Sequence, residues 1–563
     1  METMFNFQFW WVIGGYCALL VAVGVFLSRN VKSDEDYFKA HGRTSWWVSG
    51  LSFFMTAFSA SIFVANASLA YNYGLLNALL ILAQMPVFFF GYFLFARKWH
   101  RTGVGTAIEF VEKRYSPKTA KFFVWTGVPI RILDNANRLY VTAVLIEALF
   151  GVRLGVAIFS TALISLLYSV GGGFMAVEIT NALQAIVLLV IVTVVAVLGF
   201  SAVGGVSGFM ERVPDGYWTL RADDGDFNVA LICAWVFVGL FAWNGMWSLV
   251  QRYVSVDKER DSSKVAMVCG VSYYILFPLV AIPPMVAAVL LPELKGTAGA
   301  EHSYVRMAQM LLPAGMLGLL CFGIFGATVT SLNAELNVMA QIIVQDMLKK
   351  VLAPVPARIR LLLSRISTVL IMGLCILIAL KIREFGGAFK YLMTVLGMTT
   401  LPTFIPLLLG LLWRKTGGKG SIAAFLTGLI VSVVMKFVLG QSLATVIFAN
   451  GIATTLVYFL STLWFPIPAE QKESVDALFK KLATPGIRDV EIQKDSRGRQ
   501  HSNLPMVALC LAILAVIVAI ASLPLAGQKA ISGTGFLTAG IFMVTAGILA
   551  GLRFGVAKRQ GER

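Results

Sequence analysis

An all-α integral membrane protein is what this sequence predicts, and three observations carry the prediction. Hydrophobic residues make up 58% of the 563 positions and charged residues only 13%, about half the charged share of an ordinary soluble domain. Apolar runs long enough to cross a bilayer recur from end to end. Lys and Arg collect in alternate loops, the asymmetry that orients spanning helices.

About fifteen candidate transmembrane runs can be read, from 8–28 at one end to 532–553 at the other. Two are long enough to contain a break, a tilt or an extramembrane turn. Threading them with the N-terminus outside places roughly three quarters of the Lys and Arg on the inner side. The net charge of +17 therefore reports topology: N-terminus out, C-terminus cytoplasmic, in a plasma membrane of the bacterial inner-membrane type. It points to a lipid bilayer and a small-molecule solute as partners and to no nucleic acid. The opening "METMFNFQFWW" lacks a basic n-region, so the first helix is expected to be retained.

Several classes of chemistry are not supported. The six cysteines lie in apolar runs without metal-ligand spacing, and read as small buried hydrophobes. The four histidines lie in or beside loops, and no phosphate-binding Gly-rich lysine motif occurs. Neither a nucleophile–base pair nor a metal constellation suggests an enzyme. The polar stretch 465–503 is the largest non-membrane piece; its "ESVDALFKKL" reads as a short amphipathic helix in a solvated loop.

Polar residues inside apolar runs mark the functional interior, because they are expensive at bilayer depth. Thr56, Ser59, Ser61, Asn66 and Ser68 interrupt the second run, and Gly239, Asn244 and Gly245 sit between tryptophans in the seventh. Five runs apart, at matching places in two halves, these read as broken helices of an inverted repeat, whose freed carbonyls can hold a cation. In the run 119–150, Asp134 and Arg138 are four residues apart and can pair, with Arg131 three residues before Asp134. Arg grips a carboxylate at two points, so this helix is read as a solute subsite.

The stretch Gly171–Gln184, "GGGFMAVEITNALQ", combines a small-residue break, a polar cluster and a long apolar run. It resembles the fifth core helix of the sodium:solute symporters, the sodium/glucose cotransporter family. "DYFKAHGRTSWWVSGLSFFMTAFSAS", "TAIEFVEKRY", "VQRYVSVDKERDSSKVAM", "LPAGMLGLLCFGIFGATVTSLNAELNVMAQIIVQDMLKK" and "PLLLGLLWRKTGGKGSIAA" resemble further family segments, in family order. The resemblance implies a leucine-transporter-like fold: a 5+5 inverted-repeat core of ten helices, one helix before it and four after. It divides the chain into an extra helix and first cytoplasmic loop (1–44), two core halves (45–203 and 204–418) and accessory C-terminal helices (419–563).

It also implies sodium-coupled symport, with Na+ as coupling ion. Carried over residue by residue, the sodium ligands are the carbonyls of Met55, Phe58 and Ala327 and the hydroxyls of Thr330 and Ser331. Asn181 stands where the family usually carries Asp. The hydroxyl positions of a second sodium site look like Thr330, Asn333 and Ala334, a poor supply. Three roles are open to Glu335: replacing the missing charge, binding a proton, or pairing with an arginine. Proton coupling is thus the alternative to sodium, and a transporter-like sensor is the alternative class. Asp134 aligns with a sugar-contacting position, but the other sugar contacts become Ser61-Ile62 and Tyr274. A carboxylate-bearing solute is therefore favoured over a hexose. Gln84, Trp243, Asn244 and Trp247 complete the expected contacts.

Overall fold

The computed structural model describes residues 6–28, 44–168, 174–220, 222, 227–342, 357–486, 504–522 and 536–550. The glycine break at 171–173, central to the sequence reading, lies outside them. Among the described residues the chain is helical, with one isolated bridge between Thr44 and Val256. A lipid-embedded backbone must satisfy its polar groups internally, and helices do so. Among the described residues, seven helices are long and apolar enough to cross a membrane, or up to ten if each sharply bent pair counts as one span. The expected figure of fifteen is not confirmed by these residues.

Leaving aside the short helices Gly205–Arg212 and Pro292–Leu294, the helices in chain order are α1 (Phe7–Ser28), α2 (Trp46–Ala57), α3 (Ile62–Asn72), α4 (Gly74–Thr102), α5 (Ala107–Arg114), α6 (Pro117–Phe150), α7 (Leu154–Tyr168), α8 (Phe174–Ala202), α9 (Val229–Gly245), α10 (Trp247–Val254), α11 (Glu259–Leu290), α12 (Thr297–Leu311), α13 (Ala314–Ile342), α14 (Ala357–Ile382), α15 (Gly387–Leu409), α16 (Gly418–Val438), α17 (Leu443–Leu460), α18 (Ala469–Ala483), α19 (Leu504–Ser522) and α20 (Phe536–Ala550). The long run 304–345 resolves into α12 and α13, separated by Leu312 and Pro313.

Both expected breaks are present. α2 and α3 are bent by 64°, α9 and α10 by 54°. Phe58 leaves the helix with φ −80° and ψ 133°, and Met246 does so with φ −59° and ψ 131°. Glycine at 239 and 245 lets neighbours approach this second broken helix. A Cβ at Gly239 would lie 2.2 Å from Gln84 Oε1, and one at Gly245 would lie 3.1 Å from the Phe404 side chain. Such close approaches matter in a bilayer, where packing and not solvent expulsion holds helices together.

Local signals set the limits of α6. Ser116 accepts a hydrogen bond from the Thr119 amide, and Pro117 occupies the first turn, where its missing N–H costs nothing. The helix stops at Gly151, whose φ of 67° is left-handed.

The C-terminal end of α4, the short α5 and the start of α11 come together. There α18 forms as its sequence suggests, but it is docked, with Val475, Leu478 and Leu482 buried. Arg101 donates to the Leu482 carbonyl at 2.8 Å and to Glu259 at 2.7 Å, and Glu259 accepts from the Gly486 amide at 3.0 Å. The solvated loop of the sequence reading is thus a strap across the ends of α4 and α11, because its apolar stripe finds a partner surface.

Candidate functional site

The first broken helix faces α13. The Phe58 amide still bonds the Phe54 carbonyl, whereas the Ala60 amide turns away and donates to Thr328 Oγ1 at 3.0 Å. Helix termination leaves the last carbonyls of α2 without intrahelical donors, and Met55 and Phe58 are each only 1% exposed. Thr328 and Ser331 lie three residues apart, so they share a face of α13. Buried carbonyls of the break thus lie opposite a hydroxyl-bearing helix, on which Thr328 Oγ1 also donates to the Ile324 carbonyl at 2.9 Å. The expected ligands Ala327 and Thr330, and also Asn333 and Ala334, have side chains outside the described residues.

Asn181 sits on α8 against the same broken helix. Its Nδ2 donates to Ser52 Oγ at 3.3 Å and to Thr56 Oγ1 at 3.4 Å. The amide thus presents donors to two hydroxyl oxygens on α2, the reverse of what a carboxylate would do.

The polar face of α6 carries two ion pairs. Arg138 Nε binds Asp134 Oδ2 at 2.9 Å, the four-residue pair the spacing predicted. Arg131 Nη1 binds Glu335 Oε2 on α13 at 2.6 Å, and its guanidinium lies 4.1 Å from the centre of a Trp247 ring. Of the three roles open to Glu335, the geometry selects pairing with an arginine. Asn137 Nδ2 donates to Ser61 Oγ at 3.3 Å, joining α6 to the break. Tyr391 on α15, which no sequence signal singled out, donates to the Leu133 carbonyl beside Asp134 at 3.1 Å.

Several buried polar atoms here meet no protein partner: Arg138 Nη1, both amide atoms of Asn135, and Asn137 Oδ1. Arg138 is 9% exposed and Asn135 is fully buried. Buried polar groups are normally paired, so an interior built this way is suited to water or a polar solute. Trp247, Thr403, Leu407, Val111, Tyr115 and Phe123 line a small cavity of about 10 Å³.

The remaining expected contacts form a second group between α4, α9 and α11. Trp243 packs on Phe88 and Tyr273, with ring centres 5.3 and 5.9 Å apart. Tyr274 donates to the Leu82 carbonyl at 3.3 Å, and Gln84 is buried with Nε2 unpartnered. Asn244 serves the scaffold. Its Nδ2 bonds the Val87 and Leu240 carbonyls, and its Oδ1 accepts from Tyr253. Polar character alone could not separate such an amide from a solute contact.

A model of the sodium:solute symporter family matches residues 37–428. The chain belongs to this family. The sodium/glucose cotransporter of Vibrio parahaemolyticus is 26% identical, covering 75% of this chain and 84% of that protein. A sodium/sialic acid symporter of Aliivibrio fischeri is also 26% identical, over 78% and 89% respectively. The solved structure of a Na+-coupled sialic acid symporter, substrate-bound and outward-open, shares the fold with a TM-score of 0.65 at 18% identity, over 82% of this chain and 98% of that one. The symporter is thus a sodium-coupled transporter of a small organic solute, integral to the plasma membrane, and not an enzyme. Its leucine-transporter-like architecture is borne out.

Proposed function

We propose that the solute carries a carboxylate and that Arg138 receives it. The supporting observation is the state of that guanidinium: buried, aligned by Asp134 through Nε, with Nη1 bonded to no protein group. A planar guanidinium held on one edge offers the other to a carboxylate. Asn135, Asn137 and Ser61 add amide and hydroxyl groups from α6 and the break, with Gln84, Trp243 and Tyr274 across the bundle. Among the relatives are sodium/sialic acid symporters, and a sialic acid is a carboxylate.

Sodium is read at Met55, Phe58, Ala327, Thr330 and Ser331, as a single ion. A second is disfavoured because Asn181 brings an uncharged amide to Ser52 and Thr56. Arg131 neutralises Glu335, which argues for sodium over a proton as the driving ion. The basic end carrying α18 is read as cytoplasmic, with the N-terminus outside. The chain is read as the four parts 1–44, 45–203, 204–418 and 419–563.

The test is uptake into vesicles of labelled monocarboxylates, acidic sugars and neutral hexoses, with and without a sodium gradient. Sodium-driven uptake of an acid is expected. Uptake of neutral hexoses alone would overturn the carboxylate reading, and equal uptake driven by a pH gradient without sodium would overturn the single-sodium reading.

A further inference from the structure

Each broken helix has an inner half that ends at the basic side of the molecule: α2 begins there and α10 finishes there. A break in a spanning helix is a place where the two halves can change angle, since no hydrogen-bond ladder crosses it. What holds the two inner halves in place is therefore a separate question from what forms the breaks.

Both meet one buried carboxylate. Glu178, in the first turns of α8, is fully buried. Ser49 on α2 lies 3.4 Å from both of its oxygens, and Ser255, just past α10, donates to Oε1 at 3.3 Å. The two serine hydroxyls are 3.0 Å apart. Thr44, before α2, donates to the Ser255 carbonyl at 3.0 Å and its backbone bridges Val256. Arg252 on α10 is 4% exposed and supplies the opposing charge to Glu178. Neither the solute face of α6 nor the sodium ligands use this carboxylate.

We propose that Glu178 is a latch on the cytoplasmic gate, tying the inner halves of both broken helices to α8. Opening towards the cytoplasm then separates Ser49 and Ser255 from Glu178. The hydrogen bonds lost are offset by hydration of a carboxylate that the closed cluster keeps dry. That balance makes the cluster a reversible closure instead of a permanent tie. The proposal rests on the orientation given above, and its test is independent of the solute.

A cysteine introduced at Leu249, which is buried on α10 at 1% exposure, reports the opening in a chain whose six native cysteines are replaced by alanine. Inside-out and right-side-out vesicles are treated with a membrane-impermeant maleimide, without solute. Glu178→Gln is expected to raise the labelling rate from the cytoplasmic face by at least about fivefold, because the inward-open population grows. The external sodium needed for half-maximal uptake should rise with it. Rates within about twofold of each other would overturn the latch, as would an equal rise from both faces, which signals local unfolding. A rise from the outer face alone would overturn both the orientation and the cytoplasmic placement. Should Glu178→Gln fail to reach the membrane, Ser49→Ala with Ser255→Ala removes the same hydrogen bonds, and the same outcomes decide.

Discussion

Arg131 on α6 and Glu335 on α13 form an ion pair of 2.6 Å, roofed by the Trp247 ring. Each residue alone is a charge within an apolar helix, a placement tolerated only with a partner or water. Together they join two helices of the transport core without adding net charge. Arg131→Gln and Glu335→Gln are each expected to lower the melting temperature of the purified protein, and the double variant to recover much of the loss. A coupling energy of about 1–3 kcal/mol is expected from the cycle. Additive losses would show that the pair contributes nothing.

Arg138 and Asp134 separate the solute reading from a purely structural one. Lysine keeps the charge of Arg138 but loses the planar fork, so Arg138→Lys should reduce uptake of the acidic solute by roughly tenfold or more, equivalent to about 1.4 kcal/mol. Asp134→Asn with Arg138→Gln removes both charges and leaves no buried ion unpaired. That double variant is expected to fold and remain transport-dead. Restored uptake would make the pair a structural one and end the carboxylate proposal.

Thr328 holds the break in α2–α3 through the Ala60 amide. Valine in its place keeps the shape and leaves that amide unpaired, at a cost of about 1–3 kcal/mol. Thr328→Val is expected to raise the sodium concentration for half-maximal uptake several-fold while membrane expression persists. An unchanged sodium curve would detach Thr328 from the ion step. Ser331→Ala should act in the same direction if its hydroxyl is the ligand proposed above.

Sodium stoichiometry is expected to be one. Titrating uptake with sodium should produce a Hill coefficient near one, because the uncharged Asn181, whose Nδ2 is turned to Ser52 and Thr56, stands where a second ion would need a carboxylate. A coefficient clearly near two would show that the amide does not prevent a second ion from binding.

His302, on α12, which is not among the candidate spans, faces Glu147 at 3.2 Å. Arg383 also contacts that carboxylate, and Arg306 is nearby. Burial pushes the imidazole below its usual pKa, and this outweighs the upward pull of Glu147. The unfolded chain therefore binds the proton more readily, so falling pH favours unfolding from the ordinary histidine range downwards. Melting temperature is expected to fall between about pH 7 and 5, and less steeply in His302→Gln. An identical slope in both proteins would remove His302 from the acid response.

How much of this could be read beforehand follows from the range of each interaction. The Asp134–Arg138 pair was legible because both partners lie on one helix, where a four-residue spacing sets their neighbourhood. The need of Glu335 for a partner was legible too, since a lone carboxylate in an apolar helix is costly, but the choice of Arg131 depended on how α6 and α13 pack. The broken helices at 58–61 and 246 announced themselves through hydroxyls, amides and glycines inside apolar runs.

By itself the sequence determined a helical membrane protein, the two breaks and the family, because hydropathy and motif spacing act along the chain. Only the tertiary structure decided that Asn244 is spent on scaffold carbonyls while Arg138 keeps a free edge. It alone brought Ser49 and Ser255 to Glu178 and folded α18 down as a strap. Those outcomes depend on which helix faces meet, and in a bilayer that is settled by the fit of side chains between helices, which no local pattern encodes.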